Sequence, residues 1–510
     1  MRRWSACKGF ALAPLVLSLC AAEADAATVT VGPNREILVD GEPFLPIMQW
    51  LQSPSRIEAQ AALGINTFVG NGSSSSTSSD YLDECARRGV WGVMSADDLS
   101  VAGHAALLGW VFGDEPDLEG NAVEPATLLA EREAIRAADP NHVTFLTLTA
   151  GFYSEFDPPD WMGGSRSRYF DYPDATDMVG FDIYPVYGWC RPDWLYRVVA
   201  AQRELGETYA PGKATYQWIE AVRTSSQWCE LSERGEDDGP TAEEIRNEVW
   251  QALVGGATAI GYFTHSWECP GYSQFCLSPA QEDELRRTNA QLTALTRPIL
   301  APSYAGVVAD TGGARIEWTA KDYGGRVYLF AVNVDRTTAT ATWTVPGTAP
   351  GADVEVLDES RTIPIAGGAF SDDFAALAVH LYAVDRAGGP DADADADADT
   401  DADADGGGDG TADAAPDADT DVVADGGGDG AEAGPDGGEG DGDGGCGCRS
   451  AGRSGGGPVT LLVLFAVSVR IAARLRPPPS RRLQNAADAR AGRQNRPGRR
   501  HDARRRITGA

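Results

Sequence analysis

Histidine is scarce: there are five in 510 residues, and His104, His142 and His265 are scattered along the body of the chain. A multi-histidine metal site is therefore not expected, and no cysteine spacing suits zinc. Basic charge is short where phosphate binding would need it. Residues 27–389, the part rich in Trp, Tyr and Phe, carry a formal charge of −27 within a total of −33. Nucleic-acid recognition needs the opposite sign, so nucleic acid is set aside as a partner. Long apolar runs are missing as well. The stretches Phe10–Cys20 and Pro458–Val469 fall short of the ~20 residues that span a bilayer as a helix. No glycine-rich phosphate turn follows the first predicted strand, where the chain reads Gln49-Trp50-Leu51-Gln52.

What is present is ample for a large core: 43 % hydrophobic residues, 13 Trp, and a length that fits about three units of ~100–200 residues. Residues 1–26 join a basic start, Met1-Arg2-Arg3, to a short apolar stretch and Ala24-Asp25-Ala26. This is the pattern of a secretory signal peptide, with cleavage expected after Ala26. Residues 387–445 read as a linker of Asp, Ala and Gly. From Pro390 to Gly445 it holds 20 acidic residues and no Lys or Arg, too little apolar surface to offset the entropy of ordering. Beyond it come Cys446-Gly447-Cys448-Arg449, an apolar run from Pro458 and an Arg-rich end. That order resembles the MYXO-CTERM-type C-terminal sorting tags. The resemblance implies a Cys motif with a short transmembrane tag over 446–476 and a basic tail over 477–510. It also implies export and sorting machinery acting on the two termini, and attachment at the cell surface or outer membrane. In an oxidising setting, Cys269 is expected to pair with Cys276 and Cys190 with Cys229, leaving Cys85 buried and free.

Between residues 44 and 298, β-branched apolar runs alternate with amphipathic helical stretches. Strands are predicted at Phe44–Trp50, Asn66–Gly70, Trp91–Ser95, Leu107–Gly113, Val143–Thr149, Met178–Tyr184, Ala214–Glu220 and Ala259–His265. Helices are predicted at Pro125–Ala138, opening with proline, and at Ala242–Val254, behind Thr241 as a cap. Eight such repeats predict a (β/α)8 TIM barrel over 27–300. The β-rich pattern of 301–386 predicts a small antiparallel sandwich.

Barrel enzymes place reacting groups at the C-terminal ends of strands. Strand 4 ends in Asp114-Glu115-Pro116, strand 6 in Asp182-Ile183-Tyr184-Pro185, strand 7 in Trp218-Ile219-Glu220 and strand 8 in His265-Ser266-Trp267. Two glutamates at one mouth suit acetal cleavage. One protonates the leaving oxygen, and the other meets the developing oxocarbenium ion, from ~5–5.5 Å away if it attacks directly. Aromatic faces nearby suit sugar rings.

The Gly-Trp…Asp-Glu-Pro of strand 4, the Asp-Ile-Tyr-Pro of strand 6, the Trp-Ile-Glu of strand 7 and the Gly-Tyr-Phe-Thr-His of strand 8 resemble retaining glycoside hydrolases of clan A. The resemblance spans about Val39 to Arg297. It implies Glu115 as acid/base and Glu220 as nucleophile in cleavage of β-glycosidic bonds. Asp114, Asp182, Tyr184, Trp218, His265, Trp267 and Gln49 are the substrate-binding candidates. Asp114 stands where many members of that clan have asparagine. An oligo- or polysaccharide substrate is expected, without metal or cofactor, on a monomer. The competing reading is a catalytically inactive barrel that binds glycan or acts as an adhesin at the cell surface.

Overall fold

The computed structural model describes residues 26–118, 122–156, 166–226, 234–235, 237–269 and 271–388. Nearly all of the expected signal peptide and linker, and the whole of the expected tag and tail, lie outside the described residues. Eight strands close into one parallel barrel: β1 (Ile47–Gln52), β2 (Thr67–Asn71), β3 (Trp91–Ser95), β4 (Leu107–Val111), β5 (Val143–Thr149), β6 (Met178–Asp182), β7 (Ala214–Glu220) and β8 (Ala259–Phe263). β8 pairs back onto β1, Ile260 beside Ile47 and Tyr262 beside Gln49, so the sheet has no edge. β3, β5 and β7 have the bounds expected from sequence. β4, β6 and β8 each stop two residues early, and the residues released from the ladder form the rim.

Side chains alternate as a pleated strand requires. On β7, Ala214, Tyr216 and Trp218 fill the barrel, whereas Ile219 packs outward with the helices. Tyr216 and Trp218 fit because the neighbouring strands carry glycine opposite them. A Cβ on Gly180 would lie 2.3 Å from the Tyr216 ring, and one on Gly261 would lie 2.2 Å from the Trp218 ring.

The outer helices include α1 (Ser78–Arg88), α2 (Pro125–Ala138), α3 (Arg197–Glu204), α4 (Ala242–Val254) and α5 (Pro279–Ala294). α1, α4 and α5 open on reciprocal capping boxes, Thr77 with Asp80, Thr241 with Glu244 and Ser278 with Gln281. Among the described residues no helix is long and apolar enough to cross a membrane.

Two antiparallel sheets follow. One orders as β9 (Val308–Asp310), β12 (Ala339–Thr344), β15 (Ala369–Phe374). The other orders as β10 (Ile316–Tyr323), β11 (Arg326–Asn333), β16 (Val379–Asp385), β13 (Asp353–Val356), β14 (Arg361–Pro364). Trp343, Phe370 and Tyr382 centre their shared core. β11 is buried on both faces: Val327 and Leu329 look into the sandwich, while Phe330 and Val332 join the barrel's core. There Trp250 of α4 meets Phe330 at 5.3 Å, and Asn247 donates to the carbonyls of Asn333 and Leu377, each at 2.9 Å.

Candidate active site

β4 ends in a strained turn. Glu115 has φ of 47°, in the left-handed region that a side chain with a Cβ seldom adopts. The surroundings hold it there. Leu118 N donates to Glu115 O at 3.0 Å, and Val123 N donates to Pro116 O at 2.7 Å. Asp117, buried, accepts from Thr149 N at 3.0 Å, Thr149 Oγ1 at 2.6 Å and the Tyr169 hydroxyl at 2.7 Å. Asp117 thus ties the turn to the end of β5 and is spent on that task.

The turn delivers Asp114, half-buried, and Glu115, 8 % exposed, to the mouth. Asp182, the last residue of β6, sits there too, half-buried between Thr149 of β5 and Trp218 of β7 in register. The Glu115 and Asp182 carboxyls are hydrogen-bonded to each other. Burial, then the charges of Asp182 and Asp114, push the Glu115 carboxyl well above the usual range. Burial and Asp114 push Asp182 to about 8, and burial and Asp117 push Asp114 to about 7. The cluster therefore holds protons at neutral pH, as close carboxyls away from water must. Among the described residues no three His, Cys, Asp or Glu side chains group in a way that holds a metal ion.

Tyr184 stands over this cluster, its hydroxyl in the field of Asp182, Asp114, Glu115 and Glu220. Its ring stacks on Phe263 at 5.1 Å and begins an aromatic wall. Trp50 lies 5.5 Å from Phe263 and 4.8 Å from His265, and Trp267 lies 5.3 Å from Tyr272. His265 is fully buried, with Nδ1 2.8 Å from the Tyr272 hydroxyl and Nε2 3.2 Å from Trp50 O. Burial pulls its pKa to about 4, so the ring is neutral. The bridge expected between Cys269 and Cys276 is formed and brackets Tyr272. Cys190 is disulfide-bonded and Cys85 is buried and free; Cys229 lies outside the described residues.

Glu220 is differently placed. It is fully buried, and its two oxygens accept from Val186 N at 2.7 Å and Tyr187 N at 2.6 Å, in the loop that leaves β6. Its carboxyl is also hydrogen-bonded to Glu248, buried on α4. Burial lifts Glu220 to about 8 and Glu248 well above the usual range, so Glu248 supplies the proton of that bond.

The structure thus gathers Asp114, Glu115, Asp182, Tyr184 and Trp267 at the rim, with His265, Gln49 and Trp218 buried beneath it. Gln49 is fully buried and its amide donates to Thr264 Oγ1 at 2.7 Å, stitching β1 to β8. Trp218 is 3 % exposed inside the barrel, donating to Thr147 Oγ1 at 3.1 Å. Trp50, Phe263 and Tyr272 are members of the wall that motif reading passed over. Trp50 and Phe263 share the inward parity of their strands, which is the signal that finds them.

No protein-family model matches the chain, and no curated protein matches it in sequence. Similar shapes exist among solved structures. They include an α-amylase from Geobacillus thermoleovorans complexed with acarbose (10 % identity, TM-score 0.43, 65 % of this chain and 91 % of that one). A GH30 endoxylanase from Clostridium papyrosolvens shows 13 % identity and a TM-score of 0.39 over 71 % of this chain and all of that one. A putative α-galactosidase/melibiase from Bacteroides fragilis shows 12 % identity and a TM-score of 0.44 over 68 % and 82 %. Likeness at this level carries no statement about activity.

Proposed function

We propose that the chain is a glycoside hydrolase acting on an oligo- or polysaccharide, with Glu115 as the acid that protonates the leaving oxygen. The supporting observation is the setting of Glu115. It is a mouth carboxyl kept protonated by burial and by Asp182 and Asp114, beside a wall of Tyr184, Phe263, Trp50 and Trp267. Acid catalysis of acetal cleavage needs such a proton at neutral pH. Rings of the wall offer apolar faces to a sugar, and Asp114 offers a hydroxyl acceptor. Motif position gives the second carboxylate role, that of nucleophile, to Glu220, which shares with Glu115 the neighbourhood of the Tyr184 hydroxyl. Linkage and anomeric configuration, expected from the motifs to be β, belong to the same proposal, as do export and attachment through the C-terminal tag.

Turnover of aryl glycosides by the full chain and by Glu115→Gln tests the reading. Glu115→Gln is expected to lose about 10²–10⁴-fold on poor leaving groups and far less on dinitrophenyl glycosides, which need no acid. Equal loss on both would reject the acid role. Glycan binding without cleavage by the parent would favour the binding-protein reading. Cell fractionation with antibody to the barrel reads attachment.

A further inference from the structure

We propose that Leu377, in a turn of the sandwich, is a positioning residue of the active site, holding the loop beyond β6 so that its amides aim Glu220. The inference deepens the glycoside hydrolase reading and rests on it. It begins with a strained residue. Leu377 lies between β15 and β16 with φ of 56°, in the left-handed region where a Cβ is crowded. Both of its backbone groups are tied down. Its N–H donates to Asp335 O at 3.0 Å, and its carbonyl accepts from Asn247 of α4 at 2.9 Å. A conformation of this kind persists only where the surroundings enforce it, and such positions gather at functional sites.

What the strain achieves is the placement of one side chain. Leu377 packs with Val186 and Leu195, both buried, in the segment that follows β6, and Cys190 joins the same small cluster. Val186 is the residue whose N–H donates to Glu220 at 2.7 Å, and Tyr187 beside it donates to the other oxygen at 2.6 Å. One side-chain contact therefore separates the sandwich from the carboxylate that motif position makes the nucleophile. A second tie acts on the same segment. Arg336, in the turn between β11 and β12, donates to Pro192 O at 3.1 Å and pairs with buried Glu244 at the start of α4.

The consequence is geometric and electrostatic. A carboxylate has about four acceptor sites. The two amides and Glu248 occupy three on Glu220, so their placement decides where the remaining one points. A misplacement of about 1 Å at a reacting group can cost about 10²-fold in rate. The same amides favour the ionised form of Glu220 against burial. Glu248 and Glu244 of α4, with the Tyr184 and Tyr187 hydroxyls, are the other titratable groups that act on it or feel its charge. Without Leu377 the segment loses its outer support, and Glu220 loses both its aim and part of its readiness to ionise.

The test is steady-state kinetics of the full chain on aryl glycosides, with Leu377→Gly as the main variant. Glycine accepts the left-handed turn, so the side chain is removed without adding strain. Leu377→Gly is expected to lose about 10–10²-fold in kcat, with KM changed less than about threefold. The acid limb of its kcat/KM profile should move to higher pH, because weaker amide bonds raise the pKa of Glu220. Leu377→Met, which refills the space, should recover most of the rate. Val186→Ala cuts the contact from the loop side while the sandwich stays whole. It should show the same signature, and the double variant should be no worse than either single. Val354→Ala, a truncation in the sandwich's own core, is the control: it should lower the urea midpoint and leave kcat and the limb in place. Parent-like kinetics in Leu377→Gly or Val186→Ala, or an equal loss in Val354→Ala, overturns the positioning role and leaves the hydrolase reading standing. A parent that turns over no aryl glycoside overturns both.

Discussion

Asp114 sits beside Glu115 and in the field of Asp182, so its charge sets when both neighbours release their protons. For the proposed acid to work, Glu115 must keep its proton. Because burial and its acidic neighbours hold that proton well above the usual carboxylate range, kcat/KM should not fall on the alkaline side until above neutrality. Asp114→Asn removes a like charge and leaves burial untouched. Its base limb, which reports the Glu115 proton, should move down by about one pH unit. A profile unchanged by the substitution would show that Asp114 does not couple to Glu115. At this scale the sequence was half legible. It gave the strand ends at which Glu115, Asp182 and Tyr184 stand, because periodicity locates strand ends. It could not give which carboxyls touch. Glu220 shares the inward parity of Tyr216 and Trp218, yet it is captured by amides 34 and 33 residues upstream, a contact that no local pattern encodes.

The helix behind the seventh strand shows the same limit one level up. The bounds of α4 were readable from Thr241 and the apolar periodicity, and they match. Its apolar face, however, carries Glu248 into the barrel wall against Glu220. Both acids titrate higher folded than unfolded, where a free glutamate sits near 4.3. The folded state therefore holds protons that the unfolded chain has given up. Stability from this pair is full below about pH 4.5 and declines as pH rises through about 8. Glu248→Gln keeps a donor for Glu220 and removes one titration. It should leave stability near pH 4 almost unchanged and raise it by roughly 1 kcal/mol or more above pH 8. Urea midpoints at both pH values give the answer, and equal shifts at the two would refute the shared proton.

Across the whole molecule, several helices join the barrel to the sandwich: α4 packs on β11, Arg203 of α3 pairs with Glu317, and Gln291 of α5 donates to Asp358. The sequence marked a change of pattern near residue 301 and so gave two folds in succession. It did not reveal that β11 is buried on both faces, because continuous apolar runs hide which neighbour covers each side. Asn247, spanning to the carbonyls of Asn333 and Leu377, makes the joint directional. Asn247→Ala should cost about 1–3 kcal/mol by stranding two buried acceptors. A single unfolding transition, lowered as a unit, is expected in calorimetry. Two separate transitions would mean that the halves fold apart. The Cys269–Cys276 bridge brings the surroundings of the molecule into the account. Because it brackets Tyr272, the stiffness of the aromatic wall is set by whether the medium around the protein is oxidising or reducing.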